Sequence, residues 1–160
     1  MGIHPKKKEE YFHNYQHVTA PLVLGLIIIS LGTFIFPWIY TKNKEFEYLD
    51  PQTPDPRRGI VVLMLLPFGW GYFFYIFKNL IFSHPLITTI DIVGWSFIIF
   101  LILKYIFDFC QSFGKITDTS GWGWFFLFLV PFLTIPAMQA ELNSHFHRMQ
   151  IKKKYEWLYN

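Results

Sequence analysis

Long apolar runs separated by short polar segments are the main feature of the chain. They cover residues 18–40, 59–77, 86–107 and 122–142. Each run holds about 20 residues, the length at which a helix crosses the hydrocarbon core of a bilayer. Their apolar residues lack the period of 2 or 3.6 that marks half-buried elements of soluble proteins. The pattern predicts an all-α, polytopic membrane protein with four transmembrane helices, in which residues 1–160 form a single membrane domain.

The polar segments between and around these runs complete the prediction. Residues 1–17 form a polar head with three lysines, and residues 143–160 form a basic, aromatic tail. Residues 41–58 contain three prolines, which favour an extended arm outside the bilayer over a further helix. Residues 108–121 are expected to form a short polar loop.

The distribution of basic residues predicts an orientation. Four crossings would place both termini on one side, together with the loop that holds Lys78. That side carries eight Lys and Arg, against five in the two opposite loops, or six if Lys104 is counted. Since cytoplasmic loops are richer in Lys and Arg, both termini are predicted to be cytoplasmic. The expected location is a bacterial inner membrane or an organelle inner membrane.

The composition agrees with a membrane protein and limits the partners. The chain is 52% hydrophobic, 21% aromatic and 16% charged, a balance that a soluble domain does not carry. Its net charge of +3 comes from basic clusters beside apolar runs, which suit lipid headgroups better than nucleic acid. The expected partners are therefore the lipid bilayer and other membrane subunits. The lone Cys110 excludes an intrachain disulfide and a CxxC motif.

Two features interrupt the predicted helices. Pro67, Gly69 and Gly71 predict a helix break, because proline removes a backbone donor and glycine has no side chain. Such a break either lets another helix approach closely or lines a transport site. Asp91 lies near a predicted helix start, where a carboxylate caps free backbone N–H groups. An ionisable residue inside a membrane is otherwise a functional candidate.

The polar end of the fourth run is the best candidate site. It contains Gln139, Glu141, Asn143, His145 and His147, and residues four apart share a helix face. A metal centre would need more ligands from other segments, for which Asp91, His84, His13 and His17 are the candidates. The favoured interpretation is helix packing, in which Gln139, Asn143 and Asp91 bond to neighbouring helices. No cofactor and no catalytic residue are predicted, because no GxSxG motif or phosphate-binding loop is present.

A short internal repeat carries a family resemblance. Residues 32–43 (GTFIFPWIYTKN) and 69–79 (GWGYFFYIFKN) both run from Gly through aromatic residues to Lys-Asn. Together with QAELN at 139–143, this pattern resembles a family of small bacterial membrane proteins of unknown function. The resemblance implies a membrane architecture and transfers no activity or site.

These observations predict a non-catalytic structural or accessory subunit of a larger membrane assembly. Two alternatives stay open at the level of the sequence. One is a small homo-oligomeric channel or transporter that uses the broken second helix. The other is a membrane enzyme that binds a metal through Glu141, His145, His147, His13 and His17.

Overall fold

A computed structural model describes residues 18–80, 85–128 and 130–159. All regular structure in these ranges is helical, which confirms the all-α prediction. In chain order the helices are α1 (Ala20–Ile29), α2 (Ile35–Leu49), α3 (Pro56–Ile60), a π-helix (Val61–Leu65), α4 (Leu66–Leu80), α5 (Pro85–Thr117), α6 (Gly121–Leu127) and α7 (Pro131–Tyr159).

The largest unit is a helical hairpin, called the long hairpin below, formed by α3, the π-helix and α4 on one side and α5 on the other. Two of its stretches, Pro56–Phe77 and Ile87–Thr117, are long and apolar enough to cross a membrane. The indole Nε1 of Trp70 donates a hydrogen bond to Asp91 over 3.2 Å. The same indole lies against Gly94, where a Cβ would collide with it. These contacts join the two sides of the long hairpin.

The irregular part of the long hairpin lies one turn before the predicted break. The N–H of Leu66 donates to the carbonyl of Val61, five residues back, as in a π-helix. Proline lacks an N–H, and its ring crowds the carbonyl four residues earlier. We attribute the wide π-turn to this constraint at Pro67. Leu66–Leu80 is one continuous α-helix, so the helix is not interrupted at Pro67, Gly69 and Gly71, whereas the expected kink there stays a prediction.

The first apolar run is folded back on itself. α1 ends at a turn in which Leu31 and Gly32 have φ values of 52° and 86°. The carbonyl of Val18 accepts a hydrogen bond from Asn143, whereas Trp38 donates to Gln139. Asn143 and Gln139 are one helical turn apart, so both ends of the run lie beside the same part of α7. A straight helix of 20 residues would separate its ends by about 30 Å.

The last apolar run also reverses direction. Its two parts are α6 and α7, which pack against each other across the turn after residue 127. Asp118 precedes the run and His145 follows it, yet His145 Nε2 lies 3.8 Å from Asp118 Oδ2. The prediction of continuous helices over 18–40 and 122–142 is therefore wrong. We call α1–α2 and α6–α7 the two short hairpins.

Two segments predicted to be non-helical are largely helical. α2 continues to Leu49, because Ile39, Asn43 and Phe46 form a buried stripe at helical spacing and no proline occurs between residues 38 and 50. α5 likewise continues through most of the predicted loop 108–121, burying Phe109, Phe113 and Ile116. Both helices therefore end later than the sequence analysis expected, α2 at Leu49 and α5 at Thr117. Residues 1–17 lie outside the described ranges, and the tail is helical through Tyr159.

The hydrophobic core lies where the short hairpins pack against the end of α5, called the core end. Phe46 stacks on Phe109 with ring centroids 5.8 Å apart, and Phe113 lies 6.0 Å from Phe46. Buried aliphatic residues from the short hairpins complete it: Val23, Ile27, Leu49, Ile135, Met138 and Leu142. The end of α4 at Leu80 and the start of α5 at Pro85, together called the hairpin tip, lie at the opposite end of the long hairpin.

Candidate functional site

A chain of hydrogen bonds crosses the core end through neutral side chains. Gln139 is fully buried, and its Oε1 accepts from Trp38 Nε1 over 3.2 Å. Its Nε2 donates to Asn143 Oδ1 over 3.1 Å, and Asn143 Nδ2 donates to the carbonyl of Val18 over 2.8 Å. Because a buried polar group is costly without a partner, this chain fixes α1 and α2 against α7. Gln139 and Asn143 therefore link helices.

A second buried contact joins α2, α3 and α5. Asn43 is fully buried and donates through Nδ2 to the hydroxyl of Tyr105. That hydroxyl occupies the space a side chain on residue 59 would need, so Gly59 permits the approach. The sequence analysis missed this contact. Its signal was the position of Asn43 on the stripe of Ile39 and Phe46, which a helix over 41–49 would have revealed.

An ion pair fastens the end of α2 to the end of α5. Lys115 Nζ lies 3.3 Å from the carboxylate of buried Asp50 and 2.7 Å from Gln52 Oε1. Asp50 also accepts the N–H of Gln52 over 3.0 Å, which fixes the turn after α2. The segments 41–58 and 108–121 therefore meet at the core end.

The residues considered as metal ligands at the end of the fourth run do not converge on one point. Glu141 pairs with Arg148, His145 faces Asp118, and His147 is exposed. Across the described ranges, no group of three His, Cys, Asp or Glu side chains could hold a metal ion. The remaining candidates His13, His17 and His84 fall outside those ranges.

Asp91 and the glycines of α4 lie along the long hairpin. Asp91 is the seventh residue of α5, two turns from its start, so the capping role expected for it is wrong. Its carboxylate instead accepts the hydrogen bond from Trp70. Gly71 faces Trp95, whose ring would lie 3.6 Å from an added Cβ, whereas no described residue lies within 4 Å of one at Gly69. Gly69 therefore faces away from the other described helices.

An apolar groove separates α2 from α3, the π-helix and the start of α4. Its volume is about 340 Å³, within the range of small-molecule sites. Its walls include Phe36, Tyr40, Leu63, Met64 and Phe68. Phe68 is 71% exposed, so the groove opens to the outside. Sequence analysis could not find it, because it depends on the reversal of the first apolar run.

No protein-family model matches this chain, and no curated protein or solved structure matches it either. The resemblance drawn from residues 32–43 and 69–79 stays a prediction. Functional inference therefore depends on the geometry of the chain itself. That geometry offers polar contacts between helices, an uncovered long hairpin and an apolar groove.

Proposed function

We propose that this protein is a non-catalytic structural or accessory subunit of a larger membrane assembly, to which it is joined through the long hairpin. The observation that carries the proposal is how little of the hairpin is covered by the part of the chain that the structure describes. Only 6% of the most apolar stretch of Pro56–Phe77 is buried, and 11% of that of Ile87–Thr117. Such a surface requires lipid or protein around it.

The long hairpin supplies two membrane crossings in this proposal. α3, the π-helix and α4 together span residues 56–80, about 37 Å at 1.5 Å per residue, which exceeds a hydrocarbon core of about 30 Å. The short hairpins enter and leave at the core end, because their outer ends meet at Val18–Asn143 and Asp118–His145. They therefore act as re-entrant segments, in place of the first and fourth crossings of the four-helix prediction.

The basic residues support one orientation for this arrangement. The chain has 14 Lys and Arg, and Lys78 is the only one between Leu66 and Leu103. All the others belong to segments before or after the apolar part of the long hairpin. Because Lys and Arg are retained on the cytoplasmic side, the core end and both termini are cytoplasmic and the hairpin tip is outside.

The exposed face of the long hairpin has the composition of a contact surface. It presents a series of large rings, namely those of Phe68, Tyr72, Tyr75, Phe97 and Phe100. Aromatic residues are enriched in protein interfaces, where they supply a large rigid contact area. On α4, no described residue lies within 4 Å of a Cβ added to Gly69, which suits the close approach of a helix from another subunit.

Site-specific crosslinking tests the subunit role. A photoreactive residue at Tyr72, on the long hairpin, should crosslink in native membranes to a different polypeptide that co-purifies in fixed ratio in mild detergent. The matched control is a photoreactive residue at Tyr48, which is 48% exposed at the core end. Crosslinks from Tyr72 to lipid alone, with a particle mass of one chain, would contradict the proposal. Crosslinks only to further copies of this chain would favour the homo-oligomeric channel instead.

A further inference from the structure

Asp91 carries a carboxyl group on a membrane-length part of the long hairpin. Its Oδ1 accepts a hydrogen bond from Trp70 Nε1 over 3.2 Å, and its side chain is partly buried. Among the residues that the structure describes, Trp70 is the one hydrogen-bond partner of this carboxyl group, and no Lys or Arg forms an ion pair with it. Since a carboxylate can accept about four hydrogen bonds, Asp91 has capacity for a further partner.

The proposed membrane placement of the long hairpin puts this carboxyl group among lipid chains. On the first side of the hairpin, the uncharged residues 59–77 lie between Arg58 and Lys78. From Arg58 to Trp70 the chain rises about 18 Å, whereas a hydrocarbon core is about 30 Å thick. A core that begins after Arg58 therefore extends about 12 Å beyond Trp70 and encloses its contact with Asp91.

The charges of α5 lead to the same conclusion. The uncharged stretch between Asp91 and Lys104 is residues 92–103, about 18 Å of helix. A core of about 30 Å must therefore include at least one of these two charges. Lys104 has a long side chain, and its Nζ lies 2.9 Å from the carboxylate of Asp108, one turn nearer the core end. Asp91 has a short side chain and no such ion pair in the described ranges, so its charge is the one that needs a partner from elsewhere.

The surface beside Asp91 is open to another helix. Thr88 and Ile92 are four residues apart on the same side of α5, and both are exposed in the part of the chain that the structure describes. On the other side of Asp91, the indole of Trp70 packs against Gly94. The carboxyl group therefore lies at the edge of the contact between α4 and α5, where a helix that packs along Thr88 and Ile92 can reach it.

We propose that Asp91 forms an ion pair with a Lys or Arg on a transmembrane helix of the partner subunit. The inference rests on the proposed subunit role and gives the chemistry of the partner, a membrane helix with a basic residue inside its apolar stretch. Because an unpaired charge is costly in lipid, opposite charges on two such helices favour their association. A second copy of this chain in the same orientation is a poorer partner, since it would bring another carboxyl group to the same depth.

A variant that removes only the charge tests this ion pair. Asp91→Asn keeps an oxygen that can accept from Trp70, so we expect the thermal unfolding midpoint of the purified chain to match that of the parent. Co-purification of the partner from native membranes in mild detergent should fall on the order of tenfold, because the partner's cation is left unpaired. Asp91→Glu retains the charge and should preserve co-purification. Asp108→Asn is the matched control on the same helix, since Asp108 pairs with Lys104 of its own chain.

Crosslinking from Thr88 identifies the helix that carries the cation. A photoreactive residue at this position should crosslink to a transmembrane helix of the partner that contains a Lys or Arg within about two turns of the crosslinked residue. Replacing that basic residue by Gln should lower co-purification with the parent chain. The same replacement should restore co-purification with Asp91→Asn, because two neutral side chains leave no charge unpaired.

Two results would overturn the ion pair while the subunit role stands. One is co-purification of Asp91→Asn at the parental level. The other is a crosslink from Thr88 to a partner helix that has no basic residue in its apolar stretch. Should Asp91→Asn fail to fold, the Gln replacement in the partner gives the same comparison with the parent chain. Absence of any co-purifying polypeptide from the parent would contradict the subunit role itself, and the ion pair with it.

Discussion

At the scale of single residues, neutral polar side chains carry the specific contacts of the core end. Gln139 uses both ends of its amide, accepting from Trp38 and donating to Asn143. The sequence analysis placed Gln139 and Asn143 in helix packing from their spacing on one face. It could not identify Trp38 or Val18 as partners, because both become neighbours of α7 only when the first apolar run folds back.

Trp38→Phe tests how much this chain of hydrogen bonds contributes to the free energy of unfolding. The change removes the indole N–H and leaves the buried Oε1 of Gln139 without that donor. We expect the free energy of unfolding to fall by about 1 to 3 kcal/mol, the cost of an unmet buried polar group. Trp122→Phe is the matched control, since Trp122 is 57% exposed. Reversible unfolding in mixed micelles measures both, and equal losses would contradict a special role for the Trp38–Gln139 bond.

Glu141→Gln addresses the metal hypothesis. Glu141 pairs with the exposed side chain of Arg148, and such surface pairs contribute about 0 to 1 kcal/mol. We therefore expect the variant to be nearly as stable as the parent, with the same metal content in elemental analysis. About one metal ion per chain in the parent, lost in both Glu141→Gln and His145→Ala, would contradict this account and support a ligand role.

At the scale of helices, the local sequence predicted well which segments are helical, but it predicted the ends of the helices poorly. The apolar runs identified the two long, membrane-length stretches of the long hairpin. The ends of α2 and α5 were misplaced because polar residues such as Asn43 and Lys115 were interpreted as loop residues. In the structure, Asn43 is buried and donates a hydrogen bond to Tyr105, and Lys115 forms an ion pair with Asp50. Tertiary partners, which local sequence does not reveal, allow these helices to continue.

The two sides of the long hairpin should depend on the contact between Trp70 and Gly94. Gly94→Ala places a methyl group inside the indole, so the helices must separate, and we expect a loss of about 1 to 3 kcal/mol. Gly69→Ala is the matched control, since none of the described residues lies within 4 Å of its added Cβ. Because alanine favours helix over glycine, Gly69→Ala should be at least as stable as the parent. Unfolding midpoints that rank the variants in the opposite order would contradict this packing.

At the scale of the whole molecule, reversal of two apolar runs changes the topology. The length and hydrophobicity of residues 18–40 and 122–142 suit a membrane crossing, and the sequence was interpreted in that way. Length alone cannot distinguish a straight helix from two shorter helices with a turn between them. The turn at Leu31 and Gly32 depends on positive φ, which the sequence signals only through a glycine. The resulting contacts of Val18 and Asp118 bring the outer ends of both runs to the core end.

Cysteine accessibility tests this topology most directly. Single cysteines are introduced at Ser83, Asp55, Lys115 and Lys153 in a Cys110→Ala background, and intact cells are treated with a membrane-impermeant thiol reagent. The proposed topology predicts that only the cysteine at position 83, in the sequence between α4 and α5, reacts from outside. The other three should react only after the membrane is permeabilised, because the proposed arrangement places all three positions on the cytoplasmic side. Reaction of positions 55 and 115 from outside, with position 153 protected, would show four crossings and contradict the re-entrant arrangement.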